Sequence, residues 1–473
     1  MKAEQRKAPR LAIIGGGIAG LMAAYRSQAR IPQATIDLFE ASQHLGGWIR
    51  SERVDDFLVE HGPESIVRHN PIIDELLHEL ELESEVITTQ ADKRGAYVLH
   101  RGQLQRIPTG FWLLGPTQWR GLLTSPLLSP WGKLGLLRDL FKPLPALRET
   151  TSIAELVRSR FGNELMDNLV EAMVGGMYAT DPAQLSVAAL MPHIAHAMQQ
   201  SKSLRAALHR LQQQRQSQVQ GARYGLFISF RHGLETLCHA LVKQLAGVNI
   251  HLSTRIQSLT QRQDKRWQLH AAKHDHNGAY DALIIALPSR HIAALFNDIN
   301  PRLATDLNSI DHGSCAAVSL GWQHKQAIDH SLDAYGVLIP AKAKRPMLAM
   351  TWSSSKYALR APDEGALIRI FLGGHQREDY SSWEDARLRD LALCELQHLL
   401  PITQAPDLVR VHRFSRAMPH YGLNHQRIVQ RIDAQLQGYA NLACANNSFY
   451  GVGIPETLQA ATKAVEKIAA TLI

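Results

Sequence analysis

Short apolar runs, each closed by a glycine or proline turn, alternate along this chain with segments of helical spacing. The first run, Leu11–Ile14, leads into Gly15-Gly16-Gly17-Ile18-Ala19-Gly20. The apolar-rich segment Leu21-Met-Ala-Ala-Tyr25 follows. A buried strand, a tight turn and a helix are predicted in that order. A second strand spans Ala34–Phe39 and ends in Glu40. Ile72, Leu76, Leu77, Leu80 and Leu82 fall at near-helical spacing, which predicts a helix over 71–86. Arg94–Pro108 reads as two short strands around Gly102, and 151–200 is helical in pattern. The Gln- and Arg-rich stretch 200–220 reads as a solvated helix. A further helix ends near Gly247, followed by a strand from Val248 whose continuation reaches Arg255-Ile256. Tyr280–Pro288, 313–323, 346–352 and Ala366–Gly374 are buried, strand-like runs. The fold class is α/β at the start, with an α+β remainder.

The glycine turn carries chemistry. Gly15 permits the tight turn, Gly17 lets the backbone approach a pyrophosphate, and Gly20 lets the helix pack on the strand. The helix N-terminus presents free N–H groups to the phosphates. Glu40, about 20 residues on, stands where an acid takes a ribose hydroxyl. The order strand, turn, helix, strand, acid points to a dinucleotide. The alternative is a βαβ unit with an empty turn.

Composition adds limits. With 473 residues there is room for two or three domains, and 45% hydrophobic with 20% charged residues is ordinary for a globular chain. A net charge of +8 favours anionic partners (nucleic acid, acidic lipid or carboxylated substrates), unless it is only a basic solvated surface; of these, nucleic acid is not the expected partner. Cys238, Cys315, Cys394 and Cys444 are scattered and form no metal box or redox pair, so no metal is expected. Met1–Arg10 lacks an apolar leader core, and no apolar run has the roughly 18 residues of a spanning helix. The expected location is the cytoplasm or the inner face of the cell membrane. Membrane contact is suggested by 110–148, where Trp112, Trp119 and Trp131 mix with leucines, and no acid occurs between Asp92 and Asp139. No Ser-His-Asp set or carboxylate pair appears.

Further motifs follow the acid. They are Leu45-Gly46-Gly47-Trp48-Ile49-Arg50, Glu60-His61-Gly62-Pro63-Glu64-Ser65, and Arg94-Gly-Ala-Tyr-Val-Leu. Others are Gly175-Gly176-Met-Tyr-Ala-Thr-Asp181-Pro182, Ala417-Met-Pro-His-Tyr421 and Gly451-Val452-Gly453-Ile454-Pro455. Together they resemble the FAD-binding family of amine oxidases, phytoene desaturases and oxygen-dependent protoporphyrinogen oxidases. The match extends over nearly the whole chain and narrows to the protoporphyrinogen oxidases at Arg94 and Gly176.

The resemblance implies a discontinuous, Rossmann-like FAD domain from 1–85, 222–290 and 410–473, a substrate domain from 86–108 and 291–409, and a helical, membrane-associating domain from 109–221. It implies FAD held by Gly15, Gly16, Gly17, Ile18, Ala19, Gly20, Glu40 and Ala41, then Gly47, Trp48, Gly62, Pro63, Glu64 and Ser65, and by Ile256, Val452, Gly453 and Ile454. Substrate would meet Arg94, Gly176, Leu338 and Phe371. The implied reaction is oxidation of protoporphyrinogen IX by dioxygen through the flavin. Coproporphyrinogen III oxidation, an amine oxidase or desaturase, and a non-catalytic flavin binder are the alternatives. A homodimer is left open. The chain departs from the family pattern at Ala96, where an arginine is usual, and at Gly175, Thr180, Asn446 and Ala460-Ala461. Either the substrate contact is lost at Ala96, or Arg94, two residues before Ala96 in the expected strand, shares its face and reaches the substrate carboxylate in its place.

Overall fold

The computed structural model describes residues 8–68, 70–220, 227–271, 278–374 and 380–472. Most of the leader reading and the expected return to the cofactor domain at residue 222 lie outside the described residues. Five parallel strands form one sheet in the order Val248–His251, Thr35–Phe39, Arg10–Ile14, Ala282–Ile285, Leu442–Cys444. The central strand is apolar and buried from Leu11 to Ile14 because both faces of a parallel sheet are covered. Leu11 and Ile13 pack with residues of helices Ile18–Arg30 and Ile454–Leu472, while Ala12 and Ile14 pack with Trp267, Ile292 and Phe296 on the other side.

Two expectations are corrected here. Ile256 does not continue the strand from Val248. Ser253 adopts a left-handed backbone with φ 52°, so the chain turns, and Ile256–Gln261 pairs antiparallel with Trp267–Ala271 in a separate ribbon. The helix expected over 71–86 spans only Pro71–Glu79, capped by the Asn70 side chain, which accepts the Ile72 N–H at 3.1 Å. Glu81, at φ 54°, ends it, and Leu82 stays buried in the turn beyond.

A seven-stranded sheet runs in the order Leu408–Pro419, His312–Trp322, Ala366–Gly373, Met347–Trp352, Gly336–Leu338, Tyr97–His100, Gln103–Arg106. Helix Asp385–Gln397 covers one face through Leu388, Ala392 and Leu396, which pack on Val318, Ile368 and Ile370. The expected boundary at 410 therefore cuts through a strand of this sheet.

Between Val98 and Leu208 the chain builds a further core, with Leu114, Val157, Phe161, Leu169 and Leu204 at its centre. One buried ion pair organises it. Arg160 Nε donates to Asp139 Oδ1 at 2.8 Å, and the two Asp139 oxygens accept the N–H groups of Leu204 and Arg205 at 3.0 and 2.8 Å. Those N–H groups have no partner within their own helix, Leu204–Gln220, at whose start a carboxylate is favoured. Among the described residues no helix is long and apolar enough to cross a membrane.

Candidate cofactor and substrate site

At the C-terminal ends of the parallel strands the glycine turn is closed by backbone at Gly15 and Gly20 and open at Gly17. A Cβ on Gly15, which sits at φ 106°, would stand 2.4 Å from Ala286 O, and one on Gly20 only 1.8 Å from Gly15 O. Gly17 is different: a Cβ there would meet only Gly47 Cα, at 3.8 Å. The second glycine pair closes onto the turn, with Gly46 N–H donating to Gly16 O at 2.8 Å. The Glu40 carboxylate accepts the Gly16 and Ser42 N–H groups, each at 2.7 Å, and Ala41 lies exposed between them.

Two helices begin at this edge. Ile18 and Ala19 open the first, and Val452 and Gly453 lead into the second at Ile454. Both point N–H groups towards the crevice where ligands bind in open parallel sheets. Ile256 is anchored nearby, since Thr254 N–H donates to Glu40 O at 2.8 Å. Asn446, in place of the usual glycine, turns its side chain into its own loop: Oδ1 accepts the Ser448 N–H at 2.8 Å.

The segment after Glu60 links the two sheets. A Cβ on Gly62 would stand 1.7 Å from Trp48 O, so only glycine fits. Glu64 and Ser65 face the second sheet, where Lys356 Nζ lies 3.3 Å from Glu64 Oε2 and Tyr357 Oη donates to Ser65 Oγ at 2.8 Å. Both of those side chains are thus engaged by Lys356 and Tyr357. The buried Arg369 donates to Gly62 O at 2.6 Å and to His61 O at 3.1 Å, fixing the segment from beneath. Burial pushes the Glu60 carboxyl up to about 7, against the pull of Arg360 at 3.8 Å.

A single row of paired residues crosses the second sheet and holds both expected substrate contacts. His412 pairs with Ala317, Ala317 with Phe371, Phe371 with Ala349, Ala349 with Leu338, and Leu338 with Val98. Directly paired residues point to the same face, so Leu338 and Phe371, two strands apart, line one wall. Both are half-buried. Gly176, on helix Glu171–Tyr178, faces this wall: a Cβ there would lie 3.7 Å from Leu338 Cδ2. Trp48, 48% exposed, stacks at a tilt on Phe414 with 5.5 Å between ring centroids. Arg369 lies under Phe371 and Phe414, 4.9 and 5.8 Å from their rings. His412 lies tilted against His61 with 4.0 Å between ring centroids, and burial pushes it down to about 3, so it is neutral there.

Arg94 does not share a strand face with Ala96. It is exposed, it precedes the strand Tyr97–His100, and Gly95 at φ 132° interrupts the extended backbone between them. Sequence reasoning missed Phe414, His412 and Arg369. A lone arginine inside the apolar run Leu367-Ile-Arg369-Ile-Phe371 was a usable signal. Nothing local tells which side of the strand Leu408–Pro419 faces the site.

The open face at Gly17, the two converging helix N-termini and the uncovered Trp48 ring fit a flavin dinucleotide. Such a crevice, opening onto an apolar wall, defines an FAD-dependent oxidoreductase. The chain belongs to the flavin containing amine oxidoreductase family, whose model matches residues 18–469. It is 29% identical to the coproporphyrinogen III oxidase of Staphylococcus aureus (strain NCTC 8325 / PS 47), over 98% of this chain and 99% of that one. It is 25% identical to the chloroplastic/mitochondrial protoporphyrinogen oxidase 2 of Arabidopsis thaliana, over 97% and 93% of the two chains. A solved structure named "Putative protoporphyrinogen oxidase" from Exiguobacterium sp. 255-15 superposes with a TM-score of 0.86 and 26% identity, covering 98% of this chain and 99% of that one.

Proposed function

We propose that this protein oxidises a porphyrinogen to the porphyrin in haem synthesis with dioxygen as acceptor, and that its substrate is coproporphyrinogen III rather than the protoporphyrinogen IX expected from the sequence. The observation that carries the reading is the apolar row Leu338–Ala349–Phe371 facing Gly176. A broad macrocycle that flattens as it is oxidised needs two bare walls, and Gly176 keeps the second one free of a side chain. Coproporphyrinogen is favoured by the names of full-length relatives from Staphylococcus aureus and Bacillus subtilis.

Bound FAD supplies the hydride acceptor. The chain holds it through the glycine turn, the N–H groups at Ile18 and Ile454, and the backbone of Gly62 and Pro63. Leu338 and Phe371 hold the macrocycle by excluding water from its face. Arg369 keeps the Gly62 segment in register with that wall. Arg94 is a rim contact in this reading, reaching the substrate from outside the strand.

Residues 120–141 sit on a membrane surface in the same reading. Trp131 is 80% and Phe141 82% exposed, and Leu134, Leu137 and Leu140 are exposed between them. Lys133, Arg138 and Lys142 interleave, a pattern suited to anionic lipid. Trp112 and Trp119 are instead packed on the helical core, with Arg205 5.4 Å from the Trp119 ring, so Trp131 is the tryptophan available to lipid.

The test is turnover of both porphyrinogens by FAD-loaded protein, read by porphyrin fluorescence, oxygen uptake and peroxide. Oxidation of coproporphyrinogen with the higher kcat/KM supports the proposal. Loaded protein that turns over neither compound refutes it.

A further inference from the structure

Four basic side chains gather at the mouth between the two sheets. Arg290 opens helix Ser289–Phe296, and its guanidinium donates to the Arg416 carbonyl. Arg416 lies in a bulge, where strand Leu408–Pro419 slips against His312–Trp322 between Gly313 and Cys315. Its backbone is left-handed at φ 49°, and its N–H donates to Ser314 Oγ at 2.9 Å. A bulge of this kind re-aims a side chain. His291 follows Arg290, and Arg255 comes from the turn before Ile256.

The group is unbalanced. Among the described residues no carboxylate bonds to any of these four side chains, and the guanidinium of Arg290 donates to the carbonyl of a second arginine, Arg416, rather than to an acid. Burial, Arg290, Arg255 and Arg416 all hold His291 below its usual range, and burial with Arg416 lowers Arg290. His312, behind them, is pushed down to about 4 by burial and by Arg290. Like charges crowded at a partly desolvated place are uphill until an anion joins them.

The position says which anion. A Cβ on Gly313 would stand 2.5 Å from His420 Nε2 and 3.6 Å from Ala179 O, so the bulge adjoins the end of the helix that carries Gly176. On the other side, Leu287 Cδ2 would stand 2.9 Å from a Cβ on Gly15. The cations therefore sit between the substrate wall and the glycine turn. We infer that Arg255, Arg290, His291 and Arg416 form a carboxylate-binding rim that selects the more heavily carboxylated porphyrinogen. The inference rests on the porphyrinogen reading above. Coproporphyrinogen carries propionates where protoporphyrinogen carries vinyl groups, and an arginine grips a carboxylate with two parallel hydrogen bonds.

The experiment uses FAD-loaded wild type, Arg290→Gln, Arg416→Gln and the double variant. Coproporphyrin and protoporphyrin binding is titrated by fluorescence, with flavin content read by absorbance. Each arginine removed should weaken coproporphyrin binding by about tenfold, with protoporphyrin changed much less and flavin content unchanged. Arg290→Lys and Arg416→Lys, which keep the charge, should recover part of the loss, separating charge from misfolding. Equal losses for both porphyrins overturn the inference. So does flavin loss without a porphyrin effect, which would assign the cations to the cofactor phosphates. A loss found in Arg94→Ala and absent from these variants overturns it too. Wild type that binds coproporphyrin but does not oxidise coproporphyrinogen refutes the proposed activity, and the binding ratio still decides the rim.

Discussion

Replacing Gly17 by valine should empty the flavin site while leaving the chain folded. Gly17 has φ −71° and ψ 180°, extended backbone that valine adopts readily. A Cβ there would meet only Gly47 Cα at 3.8 Å, an ordinary contact, so the cost to the apoprotein should stay within about 1 kcal/mol. The same side chain fills the space through which a pyrophosphate reaches the turn. Losing two charge-assisted N–H contacts, at roughly 1.5–3 kcal/mol each, removes about 3–6 kcal/mol and weakens FAD binding by about 10²–10⁴-fold. Gly20→Ala is the contrast. Its Cβ would stand 1.8 Å from Gly15 O, so the helix must back away from the strand, at a cost of roughly 1–3 kcal/mol in the apoprotein itself. The assay strips the flavin, measures thermal unfolding of each apoprotein, and titrates FAD by quenching of its fluorescence. Wild-type affinity in Gly17→Val, or an apoprotein melting as low as that of Gly20→Ala, would refute the assignment of this face to the cofactor.

Asp139→Ala should destabilise the helical core by about 3–5 kcal/mol in denaturant titrations, because Arg160 is left buried without its partner; a loss below 1 kcal/mol would contradict that. Changing Trp131 and Phe141 to serine should reduce co-sedimentation with anionic vesicles, more so at low salt, and leave flavin bound. Trp119→Ser, at a packed position, should lower the Tm instead. Burial raises the Glu60 carboxyl from 4.5 to about 7, so the native state holds the proton more tightly than the unfolded chain. Its contribution is fully present below about pH 4.5 and is lost as pH rises through about 7. Glu60→Gln should flatten that slope in apoprotein stability curves, and an unchanged slope would count against it.

How far the chain could be read from its residues depended on how local each feature is. Leu11–Ile14, the glycine turn and Glu40 were legible because strand, turn, helix and strand close within about thirty residues, and each glycine there answers a steric demand of its immediate neighbours. Leu338 and Phe371 were named from motifs alone; that they share one wall depends on Ala349, which pairs with both across three strands. Arg94 was placed by the two-residue period of a strand, and one glycine with a positive φ set that period aside. The three tryptophans at 112, 119 and 131 look alike in sequence, yet only Trp131 is left uncovered. The cation rim draws on residues 255, 290, 291 and 416, which no spacing rule connects. Periodicity and turn chemistry are carried by neighbouring residues, so the sequence alone determined the dinucleotide turn and most of the strands. Strand register, the facing of side chains and the burial of aromatics are fixed by contacts between distant segments, and these only the tertiary structure decided.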